Sequence, residues 1–271
     1  MLDASSLHEL SVLLVEPSAM QAKVISGQLF DQGIAHVNVV GTAKDALWAI
    51  RQDAPSVVIS ALYLPDMTGI ELLYAIRHDE SVSSLPFILI SSETRPQVLE
   101  PVRQSGVCGI LPKPFTAQQL DIALNATLDL LSRDTSLEQA DVDLESVRAL
   151  LVDDSPMARK HVRRMLENMG IVNFLEAKNG VEAVHLLNDN MVDFVVTDYN
   201  MPEMDGRDLV EYIRSQSWQN SVPILMVTSE ANNERLAGIE DFGIVGICDK
   251  PFNPATVKRL LGDLLKGHQA D

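Results

Sequence analysis

A chain of 271 residues that aligns with itself, without a gap, at an offset of 137 residues must be built twice from one plan. The offset pairs Gly33 with Gly170, Pro65 with Pro202, Gly69 with Gly206, Pro86 with Pro223 and Gly106 with Gly243, and it carries Lys113-Pro114-Phe115 onto Lys250-Pro251-Phe252. A repeat of that size is a duplicated domain, since solenoid units run roughly 20 to 50 residues, and two domains suit a chain of this length. The copies span residues 10–131 and 147–267. Between them, residues 132–146 carry Asp134, Glu138, Asp141, Asp143 and Glu145 against Arg133, with no continuous apolar face. They read as an acidic, solvated linker or as an extension of the preceding helix.

Within the second copy, short apolar runs at Ala149 to Val152, Phe194 to Val196, Ile224 to Val227 and Ile244 to Ile247 predict strands buried on both faces, with a weaker strand at Val172 to Leu175. Between the first two, Ala158, Val162, Met165, Leu166 and Met169 recur at helical spacing and leave Arg159, Lys160, Arg163 and Arg164 on the opposite face. That basic face reads as solvated helix, with kinase docking as the alternative. In the first copy, Thr116 followed by Gln119 predicts a capping box, Pro254 after Asn253 suits the matching helix start, and Pro101 predicts an interrupted fourth helix. Five strands alternating with five helices define an α/β domain, a doubly wound parallel sheet with its functional residues at the C-terminal strand ends.

Composition narrows the function classes. Apolar residues make up 46% of the chain, enough for two cores, and a net charge of -17 repels phosphate backbones and anionic lipid, so neither nucleic acid nor membrane is an expected partner. No run reaches the roughly 18 apolar residues of a membrane span and no leader is read, which predicts a cytoplasmic protein. Cys108 and Cys248 lack CxxC spacing and read as buried thiols, and the six histidines show no metal spacing.

At the strand ends of the second copy, Asp153 and Asp154 close the first strand, Asp198 the third, Thr228 the fourth and Lys250 the fifth, so all five converge. Three carboxylates at one edge repel one another and invite a divalent cation; an all-oxygen set with few protein donors suits Mg²⁺ better than zinc. A carboxylate left free to attack a phosphoryl group yields an acyl phosphate, whose charge calls for a metal, an ammonium and a hydroxyl nearby. Those groups are all present.

The segments Val152-Asp-Asp-Ser155, Thr197-Asp-Tyr-Asn-Met-Pro-Glu-Met-Asp-Gly206, Met226-Val-Thr-Ser-Glu-Ala231 and Lys250-Pro-Phe252 resemble the CheY-like receiver domain of bacterial two-component response regulators. The resemblance covers nearly all of both copies. It implies two flavodoxin-like domains, each a five-stranded parallel sheet of order 2-1-3-4-5 flanked by helices. It further implies Asp198 as phosphoacceptor, Mg²⁺ held by Asp154, Asp198 and the backbone carbonyl of Asn200, and Asp153 acting through metal-bound water. Thr228 then donates to the phosphoryl group and Lys250 pairs with it across a cis Lys250-Pro251 peptide. Asn200 and Glu230 modulate the phosphoryl lifetime, and Ile247 stands where many relatives carry a switching aromatic.

The first copy departs at every acidic landmark, with Glu16 at the position of Asp153, Pro17 at that of Asp154 and Ala61 at that of Asp198, while Ser91 and Lys113 survive. It resembles a degenerate receiver, a pseudo-receiver unable to take a phosphoryl group. The resulting expectation is a phosphoacceptor rather than an enzyme, a response regulator without a separate output domain. It receives phosphate from a sensor histidine kinase or a histidine phosphotransfer protein and signals through a downstream protein, with a homodimer as one possible state. Two other readings stay open: a phosphorelay intermediate or phosphate sink, and a constitutive scaffold or dimerisation module.

Overall fold

The computed structural model describes residues 7–93, 95–131, 144–228, 244 and 246–250. The chain divides into two units, Met1–Leu131 and Ser132–Asp271. In the first, β1 (Ser11–Val15), β2 (His36–Val40), β3 (Val57–Ala61), β4 (Phe87–Ser91) and β5 (Gly109–Pro112) alternate with α1 (Ala19–Asp31), α2 (Ala43–Gln52), α3 (Gly69–His78), α4 (Pro96–Arg103) and α5 (Ala117–Leu131). In the second, β6 (Arg148–Val152), β7 (Asn173–Ala177), β8 (Phe194–Asp198), β9 (Ile224–Thr228) and β10 (Gly246–Asp249) run with α6 (Pro156–Asn168), α7 (Gly180–Asp189) and α8 (Gly206–Ser215). Both sheets are parallel, and their orders, β2-β1-β3-β4-β5 and β7-β6-β8-β9-β10, are one flavodoxin-like topology used twice.

Burial follows position in the sheet. The central strands β3, β4, β8 and β9 are buried at every residue, as strands covered on both faces must be, while the edge strands β2 and β7 stay largely open. Each core closes around these strands, with Phe87, Leu72 and Ile76 in the first and Ile224, Leu209 and Ile213 in the second.

The repeat extends to the details that start and stop helices. Ser18, Thr42 and Thr68 cap α1, α2 and α3, and Ser155, Asn179 and Asp205, each 137 residues on, cap α6, α7 and α8 by accepting from the backbone N–H three positions later. Each cap contributes about 1 kcal/mol. Gly33 and Gly170 end α1 and α6 at φ of 95° and 100°, a left-handed turn that favours glycine. The predicted capping box of α5 is present, Thr116 N–H donating to Gln119 and Gln119 N–H returning to the Thr116 hydroxyl.

Gly69 and Gly206 have a different reason. A Cβ at Gly69 would stand 2.4 Å from the Ala61 carbonyl oxygen, and one at Gly206 2.1 Å from that of Asp198. Each helix N-terminus packs so tightly on the end of the third strand that only glycine fits.

Three expectations need correction. The fifth strand of the second unit is Gly246–Asp249 rather than Ile244 to Ile247, because pairing with Leu225–Thr228 selects the strand and an apolar run alone does not. Pro101 does not interrupt α4, which passes through it to Arg103; the proline forfeits one backbone donor, while its carbonyl accepts from the Ser105 hydroxyl at 2.6 Å. Leu144, placed in the acidic linker, is buried and lies 3.3 Å from the Cβ position of Gly170, so the stretch re-enters the second core before β6 begins. Residues 132–143 of the linker, Cys248's side chain, Glu230, Pro251 and Pro254 lie outside the described residues. The matching Lys113–Pro114 peptide of the first unit is cis.

Candidate functional site

The strand order brings the C-terminal ends of β6, β8, β9 and β10 to one sheet edge, and that edge carries the predicted residues. Asp153 follows β6 directly and is buried; its N–H continues the ladder to Ala177 at 3.2 Å, so its side chain is aimed by the sheet. Asp153 Oδ1 accepts from Ser155 N–H at 2.8 Å and Oδ2 from Lys250 Nζ at 2.7 Å. Asp154, the next residue, is exposed at the rim. Asp198 closes β8, and its Oδ1 accepts from Tyr199 N–H at 2.8 Å. Its Oδ2 has no hydrogen-bond donor among the described residues, although Lys250 Nζ stands 3.2 Å away.

Thr228 ends β9 one residue beyond Val227, the neighbour of Asp198 in the ladder, and is fully buried. Lys250 donates its N–H to the Thr228 carbonyl at 2.8 Å, which turns the chain so that its side chain is sealed into the site. Asn200 lies two residues past Asp198 and is exposed. Ile247 sits in β10 opposite Met226, half-buried against the core and three positions before Lys250. The structure thus brings Asp153, Asp154, Asp198, Thr228 and Lys250 to one edge, and Glu230 falls outside the described residues.

The electrostatics match a site built for a cation. One carboxylate oxygen from each of Asp153, Asp154 and Asp198 falls within 4.8 Å of the others. Burial pushes Asp198 up to about 7, with the Asp153 charge adding to the rise and Lys250 opposing it. Asp154 is also raised, first by loss of water and then by Asp153. A buried carboxylate oxygen lacking a donor, inside an all-oxygen set, fits a hard divalent cation such as Mg²⁺.

Some partners escaped sequence reading. Ser155 and Tyr199 act through backbone N–H groups, which no residue type announces. Arg159, read as part of a solvated face, instead reaches into the site and donates to the Asp153 carbonyl.

At the corresponding edge of the first unit, Glu16 Oε2 accepts from Lys113 Nζ at 2.8 Å and Glu16 Oε1 from Ser18 N–H at 3.0 Å. Gln21 also accepts from Lys113, and the Ser91 hydroxyl oxygen accepts from Glu93 N–H at 2.8 Å. Ala61 offers no carboxylate there, and Pro17 stands where Asp154 lies.

In the second unit a doubly wound parallel sheet with an acidic pocket and a buried lysine at its strand ends defines a receiver-type signalling domain, and the first unit repeats the sheet without the acidic cluster. The family model for the response regulator receiver domain matches residues 12–125 and again 149–261, and the chain belongs to that family. Among curated proteins, it is similar to the chemotaxis protein CheY-3 of Vibrio cholerae, 37% identical over 122 residues, which are 45% of this chain and 94% of that protein. It is also similar to the CheY homolog of Campylobacter jejuni, 38% identical over 120 residues, 44% of this chain and 92% of the relative. Among solved structures, the chemotaxis response regulator CheY4 of Vibrio cholerae is 28% identical and covers 44% of this chain and 98% of its own, with a TM-score of 0.40. The chain is a tandem of CheY-like receiver domains of the two-component systems. Among the described residues, no helix is long and apolar enough to cross a membrane.

Proposed function

We propose that the chain is a response regulator whose second domain accepts a phosphoryl group on Asp198 from a phosphohistidine of a sensor kinase or phosphotransfer protein. The observation that carries this reading is the buried Asp198 carboxylate beside Lys250, within one cluster with Asp153 and Asp154.

In the transfer, an Asp198 oxygen attacks phosphorus, the P–O bond forms as the P–N bond to imidazole breaks, and the imidazole leaves with the electron pair and takes up a proton. Asp153, Asp154, Asp198 and the Asn200 carbonyl would hold Mg²⁺, which supplies charge neutralisation for the phosphoryl oxygens. Lys250 is already charged and buried at the point where phosphoryl charge arrives, so little reorganisation is required. Tyr199 N–H holds one Asp198 oxygen in place. Thr228, at the adjacent strand end, is the hydroxyl donor to the phosphoryl group.

The first domain is a pseudo-receiver. It lacks an acceptor, with Ala61 at that position, and Pro17 stands where Asp154 supplies a carboxylate in the second domain. The chain is therefore a phosphoacceptor rather than an enzyme acting on an external substrate, and its output is protein contact. Incubating the full chain with acetyl phosphate and Mg²⁺, followed by mass spectrometry, tests the reading. One phosphoryl group per chain, lost in Asp198→Asn, is expected; label that persists in Asp198→Asn overturns it.

A further inference from the structure

Arg159, a member of the predicted basic face, is drawn toward the acidic pocket. Its Nη1 donates to the backbone carbonyl of Asp153 and its Nε stands 3.4 Å from Glu176 Oε2, with the side chain only 16% exposed. Glu176 is held in turn by Arg163 at 3.0 Å, and Arg163 by Glu167 at 2.9 Å, so the guanidinium is anchored on its far side.

The Asp153 carbonyl belongs to the peptide that joins Asp153 to Asp154. A peptide is planar, so holding its oxygen sets ψ of Asp153 and with it the positions of the Asp154 N and Cα atoms. Asp153 is independently pinned through its N–H and both carboxylate oxygens. Asp154 sits at the rim, exposed, and the Arg159 bond adds a restraint on the peptide that leads into it, beside the Ser155 N–H bond to Asp153 Oδ1 that spans it.

The first domain supplies an internal control. At the offset of 137, Arg159 matches Ala22 and Glu176 matches Val39. The backbones superimpose in detail: Arg159 N–H donates to the Ser155 carbonyl as Ala22 N–H does to Ser18, and Glu176 pairs with Leu151 as Val39 does with Leu14. Helix and sheet thus form without either side chain. Where Asp154 has become Pro17 and Asp198 has become Ala61, the arginine and its anchoring carboxylate are gone too. Their presence tracks the chemistry of the site and not the fold.

We propose that Arg159 is a positioning residue of the metal site, holding the Asp153–Asp154 peptide so that the Asp154 carboxylate is presented to the cation. This rests on the reading of Asp153, Asp154 and Asp198 as an Mg²⁺ site. Groups that orient metal ligands typically change affinity by about 10- to 100-fold when removed.

The test is a calorimetric titration of the full chain with MgCl₂, without any phosphoryl donor. Arg159→Met, which keeps the apolar stem and removes the donors, is expected to weaken Mg²⁺ about tenfold. Arg159→Lys, with an ammonium on a long stem, should recover most of the affinity. Arg159→Gln, compatible with a helix but too short to span to the carbonyl, is titrated in parallel so that the test stands if the methionine variant does not fold. Wild-type affinity in a folded Arg159→Met or Arg159→Gln overturns the positioning role while leaving the phosphoacceptor reading intact. A wild-type chain that binds no Mg²⁺ and takes no phosphoryl group overturns both.

Discussion

Glu16 and Lys113 form in the first domain the same contact, 2.8 Å, that Asp153 and Lys250 form in the second at 2.7 Å. The longer glutamate reaches the ammonium from the same strand end, and the Glu16 carboxylate is almost completely buried. With Ala61 in the acceptor's place, the pair is self-contained, an ion pair with no third carboxylate to compete for the lysine. Lys113→Met should strand that buried carboxylate and destabilise the chain by about 1 to 3 kcal/mol in chemical denaturation. Ala61→Asp should add no second phosphoryl group from acetyl phosphate, because Pro17 supplies no metal ligand where Asp154 stands in the second domain. Two labels per chain in that variant would contradict the assignment.

Gly206 and Gly180 give a paired prediction. A Cβ at Gly206 meets the backbone of Asp198 at 2.1 Å and of Tyr199 at 3.0 Å, whereas one at Gly180 meets the side chain of Met204 at 2.4 Å. Backbone cannot yield without moving the acceptor, but a methionine can turn aside. Gly206→Ala should therefore cost about 1 to 3 kcal/mol and slow phosphorylation of Asp198, while Gly180→Ala costs less and leaves labelling near wild type. Thermal melts and acetyl phosphate labelling of both variants provide the comparison.

What the sequence made legible was set by chemistry that side chains announce. Asp153, Asp198, Thr228 and Lys250 stand at the C-terminal ends of four of the five strands of one parallel sheet, and such ends share an edge, so their convergence was legible in the pattern. Ser155 and Tyr199 contribute N–H groups, which every residue but proline has, and no residue type marks them. Arg159 was hidden by helical spacing, which placed it with Lys160 and Arg163 on one outward face; the signal that separates it is its counterpart Ala22. The end of β10 was misjudged because Asp249 is polar, and ladder pairing with Thr228, a tertiary fact, made it strand.

Asn200 is exposed two residues beyond Asp198. A small amide there leaves the phosphoryl group open to an attacking water, so the phosphorylated state should decay quickly. Asn200→Arg should lengthen the lifetime by covering that approach with a bulkier, cationic side chain. Decay of label after removal of acetyl phosphate measures it, and an unchanged rate would remove Asn200 from the modulating residues.

The raised carboxyl of Asp198 makes stability depend on pH in a direction opposite to that of ordinary paired carboxylates. Its folded value is about 7 against 3.8 in the unfolded chain, so between those values the folded state binds the extra proton. Metal-free stability must then fall as pH rises through that window, by up to about 1.4 kcal/mol per pH unit, and level off above about 7. Asp198→Asn, which cannot ionise, should remove that slope and stabilise the metal-free chain at pH 8. Mg²⁺ acts in the opposite sense. It needs the ionised carboxylates, so each proton it displaces weakens its apparent affinity about tenfold per pH unit below 7. At ten times Kd the cation adds about 1.4 kcal/mol at neutral pH, and that increment should vanish toward pH 5. The first domain, with Ala61 and Pro17 at the matching positions, should show no Mg²⁺ effect at any pH. Scanning calorimetry of the full chain across pH 5 to 8, with and without MgCl₂, separates these effects. Stability that rises with pH in the absence of metal, or an Mg²⁺ shift that survives in Asp154→Ala combined with Asp198→Ala, would place the cation elsewhere.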